Sequence, residues 1–464
     1  MNNDPKKPAI LAQFQSYIDS FRERYHTPAL SVAVWYKDKL YQAASGLLNV
    51  ETSVEATPDS IFQIASISKV FTASLIMQLV DEGRVKLDHP VKQYLRDFQL
   101  ADSHLSDAIT VAQLLDHTSG IPGDYVGDPS YTQPNAIARY VDRCSLLGLV
   151  HAPGERYSYS NAAYNIAGRL IEVVLGITWY DAIEERIFKP LGMTHSVVHP
   201  SQVIRYRVAM GHELCSENQD GWRLTEQCYL PLSWAPCGAV MTLSAGDLIK
   251  FALVHLNEGR TDTGEQWLNS DSIHLMQQQR IDLPPPYSYM CGTGRGLGWQ
   301  LTHTDSEILI GHSGGGMGQK SFLQVFPKRR FAIAALHNSN DANLLSDLLR
   351  ELSAELADID LPETTVAEHK PDQAKLESLS GVYETIAAEA EVHTGDGELV
   401  YHCLDKVLNK TTTGYLRWVE ADSFISFLEN GERTGNVTFL EKDEQGIPRY
   451  LYMSGRLAPR KGSH

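Results

Sequence analysis

The apolar positions of this chain change period several times, and each change marks an element. Ile10, Leu11, Phe14, Tyr17, Ile18 and Phe21 recur at three- and four-residue spacing, which predicts an amphipathic helix near the start. LSVAVWYKDKLYQAASG follows as two β-rich runs joined by the polar turn Lys37-Asp38-Lys39, the pattern of two paired strands. Helical periods return in SKVFTASLIMQLVDEG and NAAYNIAGRLIEVVLG, which stop at Gly83 and Gly176. Past Gly298 the texture is strand again, in WQLTHTDSEILIGHSG and in SFLQVFPKRRFAIAALHN, the latter broken by a Pro-Lys-Arg-Arg turn. The leucine stripe of LLSDLLRELSAEL predicts a closing helix. Strands at both ends enclose a helical, loop-rich middle. This order predicts an α/β (α+β) domain over residues 1–358, with a mainly antiparallel sheet flanked by helices and a helical subdomain.

ADIDLPETTVAEHKPDQAK has two prolines, many charges and no apolar period, and reads as a linker over residues 359–375. Residues 376–464 are short alternating runs between Gly, Asp and Asn turns, the pattern of a small all-β domain.

Composition narrows the class of partner. The 464 residues exceed one compact core and fit two unequal domains. The 40 basic and 57 acidic residues leave a net charge of −17, and no run of Lys and Arg makes a basic patch. A nucleic-acid backbone or an anionic membrane would repel such a surface. No stretch approaches the roughly 18 consecutive apolar residues of a membrane span. The N-terminal MNNDPKKPAILAQFQ carries no apolar run of signal-peptide length, so the expected compartment is the cytoplasm. Six cysteines lack a Cys-x-x-Cys pair and read as free thiols. His212-Glu213 lacks the second histidine of a zincin motif, so no metal is expected, nor any other cofactor. The partner expected is a small-molecule or peptide substrate, with self-association left open.

Three segments could carry chemistry. In QIASISKVFTASL, Ser66 and Lys69 lie three apart at the start of a helical pattern and so share one face. A hydroxyl becomes a nucleophile when a neighbouring base takes its proton, and a lysine can serve. By itself the pair also fits a capping serine beside a surface lysine. In PGERYSYSNAAYNIAG, Tyr159-Ser160-Asn161 precede a helix that Ser160 or Asn161 could simply cap. A phenol near a lysine can equally carry a proton from a serine to a leaving group. GHSGGGMGQKS looks at first like a phosphate-binding loop, but Gln319 rather than glycine precedes Lys320, and the segment joins strand to strand instead of feeding a helix. What remains is a strand edge where His312, Ser313, Gly314 and Gly315 let a substrate approach the backbone. The N–H groups of Gly315 and Ser66 could then form an oxyanion hole.

In this order the three segments resemble the class C β-lactamase and serine D-peptidase superfamily, the penicillin-recognising serine hydrolases. The resemblance spans roughly residues 10–357 and includes ITVAQLLDHTSGIPG, KPLGMTHS, APCGAVMTLSAGDLIKFA and GLGWQL. It implies Ser66 as nucleophile, Lys69 as its activating partner, Tyr159 as general base and acid, and Asn161 as an assisting residue. The family's third motif is usually Lys-Thr-Gly or Lys-Ser-Gly, whereas this chain has His312-Ser313-Gly314. That form is similar to D-aminopeptidases, certain esterases and penicillin-binding-protein-type thioesterases that cyclise peptides. LSGVY at 379–383 and FLEKDEQGIPRYLYMSGRLAPR resemble the lipocalin-like β-domain appended to some of these enzymes. The activity implied is a Ser66 acyl-enzyme formed from a peptide, amide or ester with a D-residue, and resolved by water. The alternatives are transfer to a peptide amine, β-lactamase action, and a non-catalytic penicillin-recognising sensor or binding protein.

Overall fold

Lys37 and Asp38 both take positive φ, 49° and 57°, and close a two-residue hairpin between the strands Ala29–Tyr36 and Lys39–Asn49. In the computed structural model, which describes residues 8–126, 135–215, 221–287, 290–341, 343–361, 364–407 and 409–462, this hairpin lies inside a nine-stranded sheet. The expectations resting on residues 1–7 and 362–363 lie outside the described residues.

Ala29–Tyr36 pairs antiparallel with Phe331–His337, so the two ends of the domain meet in mid-sheet. Beyond them come Gln319–Phe326, Ile308–Gly316, Gln300–His303 and the short strands Gly294–Arg295 and Ile281–Asp282. Period-two alternation gives the sheet two apolar faces. Val32, Val34, Phe322 and Ile333 pack with the helices Phe14–Arg24 and Leu344–Ala357, while Ala33, Leu323, Val325 and Ala334 pack with Ser68–Asp81 and Ala245–Leu256. Ser68–Asp81 is buried at every residue from Ser68 to Leu79, because the sheet covers one side and the helical middle of the chain covers the other. Gly176 ends the helix Asn161–Leu175 in the left-handed conformation, φ 74°.

Eight strands from Gly381 to Pro459 follow in simple sequence order. Tyr383 bridges Arg460, which brings the first and last strands together and nearly closes a barrel around Val392, Tyr401, Phe424, Val437 and Phe439. The helix Gln373–Leu379 starts inside the stretch expected to be linker and places Leu376 and Leu379 in this core. At the other end of that stretch, Ile359 and Leu361 pack with the leucine helix of the larger domain. The GTGRGLG run supplies the strand Gly294–Arg295. No helix among the described residues is long and apolar enough to cross a membrane.

Candidate active site

Ser66 sits in a 3-10 turn, Ala65–Ile67, that leads into the helix Ser68–Asp81. Three residues on, Lys69 is fully buried, and its Nζ donates to Ser66 Oγ at 3.1 Å and to the Cys237 carbonyl at 2.6 Å. The two acceptors aim the amine at the hydroxyl. The next residue must be glycine: a Cβ on Gly238 would lie 2.5 Å from the Ala65 carbonyl carbon and 2.8 Å from Ser66 N.

Tyr159 stands just ahead of the helix Asn161–Leu175, which Ser160 caps by accepting from Ala163 N at 3.1 Å. Lys69 Nζ lies 4.7 Å from the centre of the Tyr159 ring, so the structure brings Ser66, Lys69 and Tyr159 together. His117 stacks on the same ring at 4.3 Å, and its Nδ1 accepts the Ser160 backbone N–H at 3.0 Å. Burial, reinforced by the charge of Lys69 and then of Arg295, holds the His117 pKa well below the usual histidine range. The first turn of the same helix carries Asn161, whose Nδ2 donates to Asp124 Oδ1 at 2.9 Å.

The third segment lies on the strand Ile308–Gly316. Its neighbour, Gln300–His303, pairs only with Ile308 through Gly311, so the edge from His312 to Gly316 lacks a sheet partner on that side among the described residues. A Cβ on Gly314 would fall 2.1 Å from the Ile64 carbonyl oxygen, so glycine is what lets this strand lie against the turn bearing Ser66. Gly315 is exposed, and Ser313 and Gly314 are half-buried. His312 is buried, its ring centre 6.4 Å from that of Tyr159, with Nδ1 2.6 Å from the Ser313 carbonyl. A carbonyl only accepts, so Nδ1 carries the hydrogen. Burial and then the charges of Lys69 and Arg295 push the His312 pKa down to about 3, and the ring is neutral.

Sequence reasoning missed three neighbours of this cluster. His117 lies in the ITVAQLLDHTSGIPG stretch with a φ of 63°, and nothing in its local pattern signals the stack on Tyr159. Nothing in its local pattern marked Asp124. Arg456 comes from the C-terminal sheet, 332 residues from Asp124, and grips that carboxylate with Nε to Oδ2 at 2.8 Å and Nη2 to Oδ1 at 2.9 Å. Burial alone would raise the Asp124 carboxyl, but the Arg456 charge and its hydrogen bonds, with that of Asn161, hold it below the usual range. Arg456 also lies 4.9 Å over the Tyr159 ring.

This fold, with a serine, a lysine and a tyrosine in contact beside an open strand edge, defines a serine hydrolase of the beta-lactamase fold. Residues 14–358 match the Beta-lactamase family, and the chain belongs to it. It is 38% identical over 378 residues to Penicillin-binding protein 4 of Amycolatopsis lactamdurans, covering 80% of this chain and 97% of that protein. Among solved structures it is similar to SurE, with a TM-score of 0.77 and 26% identity over 97% of this chain and 99% of that one. It is also similar to the D-amino acid amidase of Ochrobactrum anthropi SV3 complexed with D-phenylalanine, with a TM-score of 0.62 and 25% identity over 75% of this chain and 97% of that one.

Proposed function

We propose that the protein hydrolyses a peptide, amide or ester with a D-residue on its acyl side, through an acyl-enzyme on Ser66. One observation carries this reading: the Lys69 amine is held 3.1 Å from Ser66 Oγ by a second bond to the Cys237 carbonyl. In the neutral form Lys69 takes the serine proton as Oγ attacks the carbonyl carbon. Tyr159, beside Lys69, returns a proton to the leaving group and later draws one from water. The N–H groups of Ser66 and Gly315 receive the oxyanion, and Ser313 and Gly314 form the wall along which the acyl group lies. Asn161 assists by binding the substrate. The D-residue is supported by the likeness to an amidase of D-amino acids. His312 brings no charge to the site, which supports neutral acyl groups over the carboxylate of a β-lactam.

Ser66→Ala tests the reading. Turnover of a chromogenic ester and labelling by a fluorophosphonate are expected to vanish, with intact mass reporting the adduct on the parent protein. Retention of more than about one hundredth of the parent turnover overturns it, since loss of a covalent nucleophile costs far more.

A further inference from the structure

The segment that carries Tyr159 is extended, with Ser160 at φ −129° and ψ 112°, so successive N–H groups point to opposite sides. Each finds an acceptor on another part of the chain. Ser158 N donates to the His117 carbonyl at 3.0 Å, Tyr159 N to the Gly455 carbonyl at 2.8 Å, and Asn161 N to the Gly123 carbonyl at 3.1 Å. Between the last two, Ser160 N donates to His117 Nδ1 at 3.0 Å. His117 thus holds one edge of the segment at two points, and its imidazole is the one side chain among the four acceptors.

The backbone of His117 is left-handed, with a φ of 63°. A side chain keeps that conformation only where its surroundings over-determine it. Here the flanking residues do so: Asp116 Oδ1 accepts from Thr118 N at 3.1 Å and from Thr118 Oγ1 at 2.6 Å, while Asp116 Oδ2 accepts from Arg280 Nε at 3.3 Å. The imidazole is 2% exposed, enclosed by Tyr157 edge-on at 5.7 Å and by Tyr164 at 5.2 Å. A backbone N–H only donates, so Nδ1 carries no hydrogen and the single ring proton sits on Nε2. The same ring stacks on Tyr159 with centres 4.3 Å apart and planes 26° from parallel. Lys69 Nζ lies 4.7 Å from the centre of that tyrosine ring. Without the imidazole, Ser160 N would lose its acceptor and the phenol a wall, and Tyr159 could swing away from the lysine.

We infer that His117 is a positioning residue for proton transfer, which keeps Tyr159 beside Lys69 through the Ser160 bond and the ring stack. This rests on the Ser66 acyl-enzyme reading and adds to it the group that holds the leaving-group acid in place.

The test is a leaving-group ratio on the full-length protein: kcat/KM for the p-nitrophenyl ester over that for the p-nitroanilide of one D-amino acid. p-Nitrophenolate departs without a proton, whereas the anilide nitrogen must receive one, so misplacing Tyr159 slows the anilide more. Tyr159→Phe sets the scale and should raise the ratio by about a hundredfold. His117→Phe keeps a ring and removes the acceptor; it should raise the ratio by about tenfold or more, the scale of one buried donor left unpaired. His117→Asn tolerates the left-handed backbone and offers Oδ1 in place of Nδ1, so its ratio should stay within about threefold of the parent. Added to Tyr159→Phe, His117→Phe should move the ratio by less than about twofold, because no phenol is left to place. A merely structural role would slow both substrates alike and leave the ratio standing. An unchanged ratio in His117→Phe overturns the inference, as does a tenfold rise that recurs on top of Tyr159→Phe. An Asn variant as perturbed as the Phe variant overturns the Ser160 bond as the means. Should His117→Phe fail to fold, His117→Gly takes its place, since glycine accepts the left-handed backbone and brings no acceptor. Intact mass is followed in parallel. No Ser66 adduct in the parent, or an unchanged ratio in Tyr159→Phe, defeats the reading of the site beneath. A ratio raised in Tyr159→Phe but not in His117→Phe defeats this inference alone.

Discussion

His312→Lys places an ammonium where a neutral imidazole now lies, at the position where the family motif carries a lysine. The imidazole is 4% exposed, and burial with the charges of Lys69 and Arg295 sets its pKa at about 3, so it offers a substrate carboxylate no charge near neutral pH. A charge-assisted hydrogen bond contributes about 1.5–3 kcal/mol, which is roughly ten- to a hundredfold in kcat/KM for a carboxylate-bearing substrate. Against this stands repulsion of the new cation by Lys69 and Arg295. At an effective dielectric near 20, two unit charges repel by about 4 kcal/mol at 4 Å, and by less in inverse proportion to a larger separation. That cost falls on every substrate, so the absolute rate can drop while selectivity rises. The measurement is therefore a ratio: kcat/KM for a cephalosporin over that for an uncharged p-nitrophenyl ester, in both proteins. The ratio should rise by one to two powers of ten. An unchanged ratio would reduce His312 to a residue that shapes its strand through the Ser313 carbonyl, and would restore an ordinary β-lactamase as a candidate.

Lys69→Ala and Tyr159→Phe should each slow acylation by about a hundredfold or more, and the double variant should be scarcely worse than the poorer single one; multiplying losses in stopped-flow burst kinetics would show two independent roles. Acid should weaken the fold through buried histidines: His255, His312 and His337 have pKa values of about 3, against about 6.5 when unfolded. A depressed pKa means stability that is complete above about pH 6.5 and lost as pH falls toward 3, because the unfolded chain binds the protons first; three such groups give at most about 4 kcal/mol per pH unit, read from urea midpoints between pH 7 and 5. In His255→Leu, which removes a buried ring with no hydrogen-bond partner on either nitrogen among the described residues, up to about 1.4 kcal/mol per pH unit of the slope should disappear; an unaltered slope would refute the assignment.

Local chemistry explains which parts of this molecule were legible. Helix and strand periods are written in runs of ten to fifteen residues, and the glycines that stop them act on their own backbone, so Ser68–Asp81, Asn161–Leu175 and the paired strands could be read directly. The Ser66–Lys69 contact spans three residues and Tyr159 to Asn161 only two, within reach of pattern and resemblance. The Asp124–Arg456 pair joins a loop to a sheet 332 residues away, and no period carries that. Gly294–Arg295 carries no strand signal in the sequence, because two residues among glycines have no alternation of their own; their neighbours Gln300 and Leu301 make them a strand. The helix Gln373–Leu379 hid among charges, since only Leu376 and Leu379 face a core.

The same long-range contacts explain why the imidazoles of this site are neutral. Arg295 is 7% exposed, and among the described residues its guanidinium bonds only to neutral acceptors, Tyr157 Oη at 3.1 Å and the carbonyls of Cys291 at 2.6 Å and Gly294 at 3.1 Å. No carboxylate among the described residues pairs with it, as Asp124 pairs with Arg456. Its charge acts, after burial and together with Lys69, on both His117 and His312 and disfavours a further proton on either. His117 accepts the Ser160 N–H through Nδ1, a bond only an unprotonated nitrogen can make, so its neutrality also fixes the segment on which Tyr159 is carried. A chain of net charge −17 thus keeps Lys69, Arg295 and Arg456 near one cleft, and spends part of their field on holding two histidines uncharged rather than on attracting an anion.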